Sequence, residues 1–318
     1  MDRRWMVRGE DGGRWDRGIG GGSGPFAEGS GRMSWSGFVN NVGEWEGCHV
    51  LYNGTGVELL DVSTSARVER VDDPEGVRWR TEAYREGGEV DIEDVEWTRR
   101  DVDLYGAAVE SGSYSLGPSA IFGENFKIDQ GAVASDVRVC ASYAYDWEGK
   151  LSGLIVARER RTNVVQRAIE PSAWNSSAAL FDYYLGTWEG SGIITHRQSG
   201  RSIDVSSRIR LNFNLNGNLH QVSSLSVIGG QHREVQSTAA RDGSILLFAN
   251  AGVQMFLLPG GVSIASPIII TRGEPFVVEL AFLVRPDERI RIARCYNADG
   301  AWMNTVFLQE RRVASLNR

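Results

Sequence analysis

Two patterns each occur twice in this chain, and that duplication constrains the fold more than any other feature. The first half opens on Phe38 followed by Gly43-Glu44-Trp45-Glu46-Gly47, the second on Phe181 followed by Gly186-Thr187-Trp188-Glu189-Gly190. Phe-x4-Gly-x-Trp-x-Gly thus recurs at an offset of 143 residues. The halves also close alike. Tyr145, Gly149 and Glu159-Arg160-Arg161 return as Tyr296, Gly300 and Glu310-Arg311-Arg312, at an offset of 151. Two independent patterns with nearly equal offsets describe a duplicated domain with a short insertion. At 318 residues the chain also exceeds the size at which a single core stops growing, so each copy is expected to be a domain.

Between these marks the second half reads as strand after strand. Ile203, Val205, Ile209, Leu211, Phe213 and Leu215 fall on alternate positions, and Asn216-Gly217 supplies a hairpin turn. Similar runs follow at 245–249, 253–258, 262–265, 276–284, 289–296 and 302–309, separated by turn formers such as Pro259-Gly260-Gly261. In the first half, Val77–Tyr84, Val90–Trp97, Ser119–Ile128 and Val137–Tyr145 fit the same plan. Short turns of helix are expected only at Ser34–Val42 and Ser177–Leu185, ahead of each Gly-x-Trp. Many short strands without helical periodicity predict closed up-and-down barrels, because closure removes exposed sheet edges. The expected fold class is all-β: a tandem of two antiparallel β-barrels, residues 34–161 and 180–312. A Gly- and Arg-rich leader (1–33), a linker (162–179) and a short tail (313–318) complete the division.

A Gly-x-Trp on the first strand resembles the opening signature of the calycin superfamily, to which lipocalins and fatty-acid-binding proteins belong. That resemblance implies that the Trp closes the narrow end of its barrel and that a basic side chain of the last strand lies over the ring. Trp45 with Arg160 or Arg161, and Trp188 with Arg311 or Arg312, are the pairs it implies, and a planar guanidinium suits an indole face. Leu258-Pro259-Gly260-Gly261-Val262-Ser263, Ser266-Pro267, Phe276-Val277-Val278-Glu279 and Arg294-Cys295-Tyr296 go further. With Gly300, Glu310 and the opening Asn40-Asn41-Val42-Gly43-Glu44-Trp45-Glu46-Gly47, they resemble the cyanobacterial and plastid two-barrel family that includes the chloroplast ATP synthase biogenesis factor. The resemblance implies a non-enzymatic assembly factor or chaperone that holds the β and γ subunits of the ATP synthase. It also implies residence in the chloroplast stroma, or in the cytoplasm of a cyanobacterium. The leader has no apolar secretory region, and Asp2, Glu10, Asp11 and Asp16 interrupt its basic residues, so it carries no clear targeting signal.

Charge bears on the partner. Residues 31–170 carry 15 basic against 25 acidic side chains, while 171–318 carry 14 against 11. An acidic half beside a mildly basic one lacks the basic footprint that nucleic acid demands and suits a basic protein. No apolar run reaches the length of a membrane-spanning helix. Cys48, Cys140 and Cys295 are odd in number and far apart, which predicts core thiols rather than a metal site, and no metal or cofactor is expected. No nucleophile elbow, phosphate-binding loop or His-Glu-x-x-His occurs, so no catalytic residue is assigned. His196, His220 and His232 lie in polar stretches and are read as solvated. The acidic run Glu89, Asp91, Glu93, Asp94, Glu96 is a solvated strand face or a candidate docking surface for a basic partner. The main alternative is an open calycin cavity for a lipid or tetrapyrrole, including a bilin-lyase-like role.

Overall fold

The computed structural model describes residues 35–121, 124–163, 177–230 and 232–314. The leader and most of the expected linker therefore lie outside the described residues. The first half contains α1 (Trp35–Val39), β1 (Gly43–Asn53), β2 (Glu58–Asp72), β3 (Glu75–Tyr84), β4 (Val90–Thr98) and α2 (Arg99–Tyr105). It continues with β5 (Gly106–Ala108), β6 (Tyr114–Leu116), β7 (Phe126–Ala134), β8 (Val137–Tyr145) and β9 (Leu151–Arg161). The second half contains α3 (Ser177–Tyr184), β10 (Gly186–His196), β11 (Ser202–Phe213), β12 (Leu219–Val227), β13 (His232–Asp242) and β14 (Ile245–Phe248). After these come β15 (Val253–Leu258), β16 (Val262–Pro267), β17 (Phe276–Arg285), β18 (Glu288–Tyr296) and β19 (Trp302–Ala314).

All strand pairs are antiparallel, as the alternating pattern requires, but the two halves close differently. In the second half β10 pairs with both β11 and β19, completing a ten-stranded closed barrel. The first half is a curled nine-stranded sheet in the order β4-β3-β2-β1-β9-β8-β7-β6-β5, left open between β4 and β5. The expectation of two closed barrels is corrected at this point, and the cause is local. At the end of β13, Asp242 and Gly243 (φ +58°) turn the chain into β14. At the end of β4, Thr98 instead caps a helix: its Oγ1 accepts from the Asp101 amide at 3.1 Å, and Asp101 Oδ2 accepts from the Thr98 amide at 3.0 Å. A helix then takes the place of the next strand.

The core has three main parts. Trp45, Val68, Val77, Tyr114 and Phe38 fill the concave side of the open sheet, and Trp188, Leu211, Leu257 and Leu180 fill one end of the closed barrel. A third cluster lies between the domains, where Ile128, Tyr143 and Leu154 on outward positions of β7–β9 meet Ile264, Leu280 and Ile292 of β16–β18. Two polar side chains lock that contact. Gln130 reaches the carbonyls of Val278 and Ile292 at 3.5 and 3.3 Å. Arg294, fully buried and 3.8 Å from the Trp302 ring, donates to the carbonyls of Tyr105, Ser115, Gly117 and Pro118. Ser119–Ile128, expected as one strand, is strand only from Phe126. Its beginning is drawn across to the second barrel, with Ala120 bridged to Ala301.

Candidate functional site

The Gly-x-Trp-x-Gly pattern is a sealing device, present in both domains. Gly43 (φ +141°) and Gly186 (φ +112°) hold left-handed backbone that an L side chain resists. Gly47 and Gly190 lie so near the last strand that a Cβ would sit 1.8 Å from the Arg158 carbonyl oxygen or 2.0 Å from that of Gln309. Between them Trp45 and Trp188 point inward and are fully buried. Trp45 Nε1 donates to the Asn41 carbonyl and Trp188 Nε1 to that of Tyr184, both at 2.9 Å.

The last-strand arginines sort as strand alternation dictates. Arg161 lies 4.4 Å and Arg312 5.8 Å from the ring centres of Trp45 and Trp188. Each also ties the ring to the segment that plugs the barrel end, Arg161 through the carbonyls of Asn40 and Val42, Arg312 through those of Asp182 and Tyr183. Arg160 and Arg311, one position earlier, face the other side. Arg160 lines an outer cleft, and Arg311 stands exposed opposite Glu189 and Glu288.

Two arginines that sequence reasoning missed lie nearer the rings. Arg138 is 4.1 Å from both Trp45 and Trp79, and Arg289 is 4.3 Å from Trp188. Each is buried against a buried carboxylate: Arg138 Nε donates to Glu159 at 2.8 Å, and Arg289 Nε to Glu310 at 2.6 Å. Arg291 joins the second network, bonding Glu310 at 2.9 Å and Glu279 at 2.6 Å, while Ser207 donates to Glu310 at 2.6 Å. Burial by itself would raise the Glu310 pKa, but Arg291 and Arg289 outweigh it and hold the carboxyl at about 2. The signal was present in the sequence, since Arg138/Arg289 and Glu159/Glu310 repeat at the offset of 151 that Arg161/Arg312 obey.

The acidic run falls on β4 and divides between the faces. Register with β3 puts Asp91 and Glu93 beside Ala83 and Thr81 on the concave side, and Asp94 and Glu96 beside Arg80 and Arg78 on the convex side. Glu89 precedes the strand. Asp94 is held by Arg78 at 2.9 and 2.6 Å, and that bond lowers its pKa; Asp91 pairs with Arg85. Glu89, Glu93 and Glu96 make no ion pair among the described residues. The convex face of the first domain also carries a cleft of about 550 Å³, on the side of the sheet opposite the Trp45 ring, lined by Glu46, Arg67, Glu69, Arg78, Arg80 and Glu82. Its walls are charged, unlike those of a pocket for an apolar ligand. His232 is exposed and hydrogen-bonded to Ser226, whereas burial lowers the His196 pKa, so the solvated reading fits only the former of these two. The three cysteines are free thiols, and among the described residues no cluster of His, Cys, Asp and Glu could hold a metal ion. No helix among them is long and apolar enough to cross a membrane.

Two barrel-like antiparallel domains, each closed at one end by a plugged tryptophan under last-strand arginine, define a calycin-like tandem protein. Comparison with known proteins places it more closely. Residues 175–313 match the family described as "Biogenesis factor required for ATP synthase 1, C-terminal domain", and residues 32–164 match "Domain of unknown function (DUF3598), N-terminal". The chain belongs to the two-barrel family whose halves these descriptions cover. A protein of unknown function from Nostoc punctiforme, of the DUF3598 family, aligns with a TM-score of 0.73 and 27% identity, over 88% of this chain and 98% of its own. An S-type phycobiliprotein lyase from Guillardia theta aligns with a TM-score of 0.37 and 12% identity, over 47% of this chain and 99% of its own, too remote to bear on function. No curated protein matches the sequence.

Proposed function

We propose that this protein is a non-enzymatic assembly factor for the catalytic head of the ATP synthase, that it holds partner subunits, and that β and γ are those subunits. It acts in the chloroplast stroma, or in the cytoplasm if its source is a cyanobacterium. The observation that carries this reading is the match of the second barrel, over 175–313, to the ATP synthase biogenesis factor domain. The architecture is consistent with it. The sealed end of each domain is filled by Trp, Arg and Glu side chains, which leaves outer faces and sheet edges as the surfaces open to a macromolecule. Affinity capture of the tagged full-length chain from plastid or cyanobacterial extract tests it. Recovery of the ATP synthase β and γ subunits is expected. A lipid or tetrapyrrole co-purifying in their place, visible by absorbance and native mass, would overturn it in favour of a calycin-type binder.

A further inference from the structure

One strand of the first domain has a neighbour on one side only. Among the described residues β4 pairs with no strand but β3, though α2 touches it, whereas β5, at the other end of the sheet, is fully buried beneath α1 and α2. Half the backbone N–H and C=O groups of a nine-residue edge strand point away from its one partner and can template another strand. Over residues 90–93 the two faces beside that edge are chemically distinct, and beyond them Asp94 and Glu96 take the convex face. On the convex side Tyr84, Val90 and Ile92 are 44%, 45% and 41% exposed, and Val90 stands directly opposite Tyr84. On the concave side stand Asp91, paired with Arg85, and Glu93, which makes no ion pair among the described residues but lies within electrostatic reach of Lys127. No basic residue interrupts 89–96. A second copy of this chain would bring the same acids edge to edge and be repelled, so the occupant must carry the opposite charge.

We propose that β4 binds an extended segment of a partner protein by strand addition, and that the segment alternates apolar and basic residues where it meets Val90–Glu93. Side chains directly opposite across a ladder share a face, so the apolar residues of the incoming strand lie beside Val90 and Ile92, and its basic residues beside Asp91 and Glu93. The inference rests on the reading that this protein works by holding protein partners. Its test contains no ATP synthase subunit and therefore fails separately from the capture experiment above.

The probe is a fluorescent peptide that alternates Val and Lys over the four residues facing Val90–Glu93 and is flanked by Gly and Ser, titrated into the full-length chain at low salt. One control peptide alternates Val and Glu, and another carries the same Val and Lys separated into two blocks. The alternating Val/Lys peptide should bind about tenfold or more tighter than either control and should slow amide exchange along β4. Glu89→Lys with Glu93→Lys should weaken it about tenfold, and Glu89→Gln with Glu93→Gln by a smaller factor, giving a second variant should the first fail to fold. Equal binding of the block peptide, binding that leaves β4 amides unprotected, or dimerisation of the chain through β4 without peptide would each overturn the proposal.

Discussion

At the scale of single residues, each tryptophan seal concentrates positive charge. Arg138 and Arg161 both face Trp45, and Arg289 and Arg312 both face Trp188. Such pairs are tolerable because a buried carboxylate answers the deeper guanidinium, Glu159 in one domain and Glu310 in the other. Removing one member of a buried ion pair leaves the other desolvated and uncompensated, which costs about 3–5 kcal/mol. Glu310→Gln is therefore expected to lower stability by that order in urea unfolding, and combining it with Arg289→Met should restore part of the loss. The pH dependence follows from the Glu310 pKa of about 2, well below that of an unfolded glutamate. A depressed carboxyl contributes stability above its unfolded pKa of about 4.3 and loses it as pH falls towards 2, on the order of 3 kcal/mol in all. Acid titration of wild type against Glu310→Gln should show the wild-type advantage disappearing across that window.

At the scale of elements, the short helices act as plugs, tied down by one arginine each. Arg161 bridges the Trp45 ring and the carbonyls that end the α1 segment, whereas Arg160 on the same strand faces outward. Arg161→Met should destabilise the first domain by about 1–3 kcal/mol and speed amide exchange in α1 and at the start of β1. Arg160→Met should cost less than about 1 kcal/mol by the same measurements. The two helices ahead of Gly-x-Trp lie where the sequence predicts them, and β11, β15, β17, β18 and β19 follow their apolar alternation. β12 and β13 were not legible. Leu219–Val227 is Ser- and polar-rich, and His232–Asp242 is exposed along almost its whole length, so neither carries the period-two contrast that burial of one face writes into a strand. The Thr98-Arg99-Arg100-Asp101 capping box was legible in principle, but an acidic run surrounds it and hides the helix it starts.

At the scale of the whole molecule, the domains do not behave as beads on a string. The stacked ring pairs Phe126–Tyr145 and Phe276–Tyr296, at 4.9 and 4.7 Å, mark equivalent positions in the two halves, and the strands bearing them face one another across the shared core. Arg294 bonds four carbonyls of the first domain from the second, one contact buried and three partly buried. Arg294→Met takes one donor from each of these oxygens, of which Tyr105 keeps the Gly117 amide and Pro118 the Tyr296 hydroxyl, and should cost on the order of 2 kcal/mol, read as a fall in the temperature of one common unfolding transition. Proteolytic nicking between 164 and 176 should leave fragments that co-elute in gel filtration, because the core between the barrels holds them without the connecting chain. Separation of the two fragments at neutral pH would show the interface to be weaker than its burial implies.

Duplication and the strand class were determined by the sequence itself, one as a repeat at constant offset and the other as a local period, and both survive without knowledge of the fold. The inward tryptophans and their pairing with last-strand arginines were implied by the resemblance to calycins. Which of Arg160 and Arg161 meets the ring, and that Arg138 and Arg289 lie closer still, depended on strand register, because a shift of one residue exchanges the faces of a strand. Closure of one barrel and opening of the other was decided at the end of a single strand in each half, by a turn after Asp242 and a capped helix after Thr98. Strand alternation alone divides the acidic residues of β4 between two faces, but which face is concave, and the shared core between the domains, had to await the tertiary structure. Both join residues more than ten or a hundred positions apart, and no local pattern in the chain records which distant strand a given face will meet.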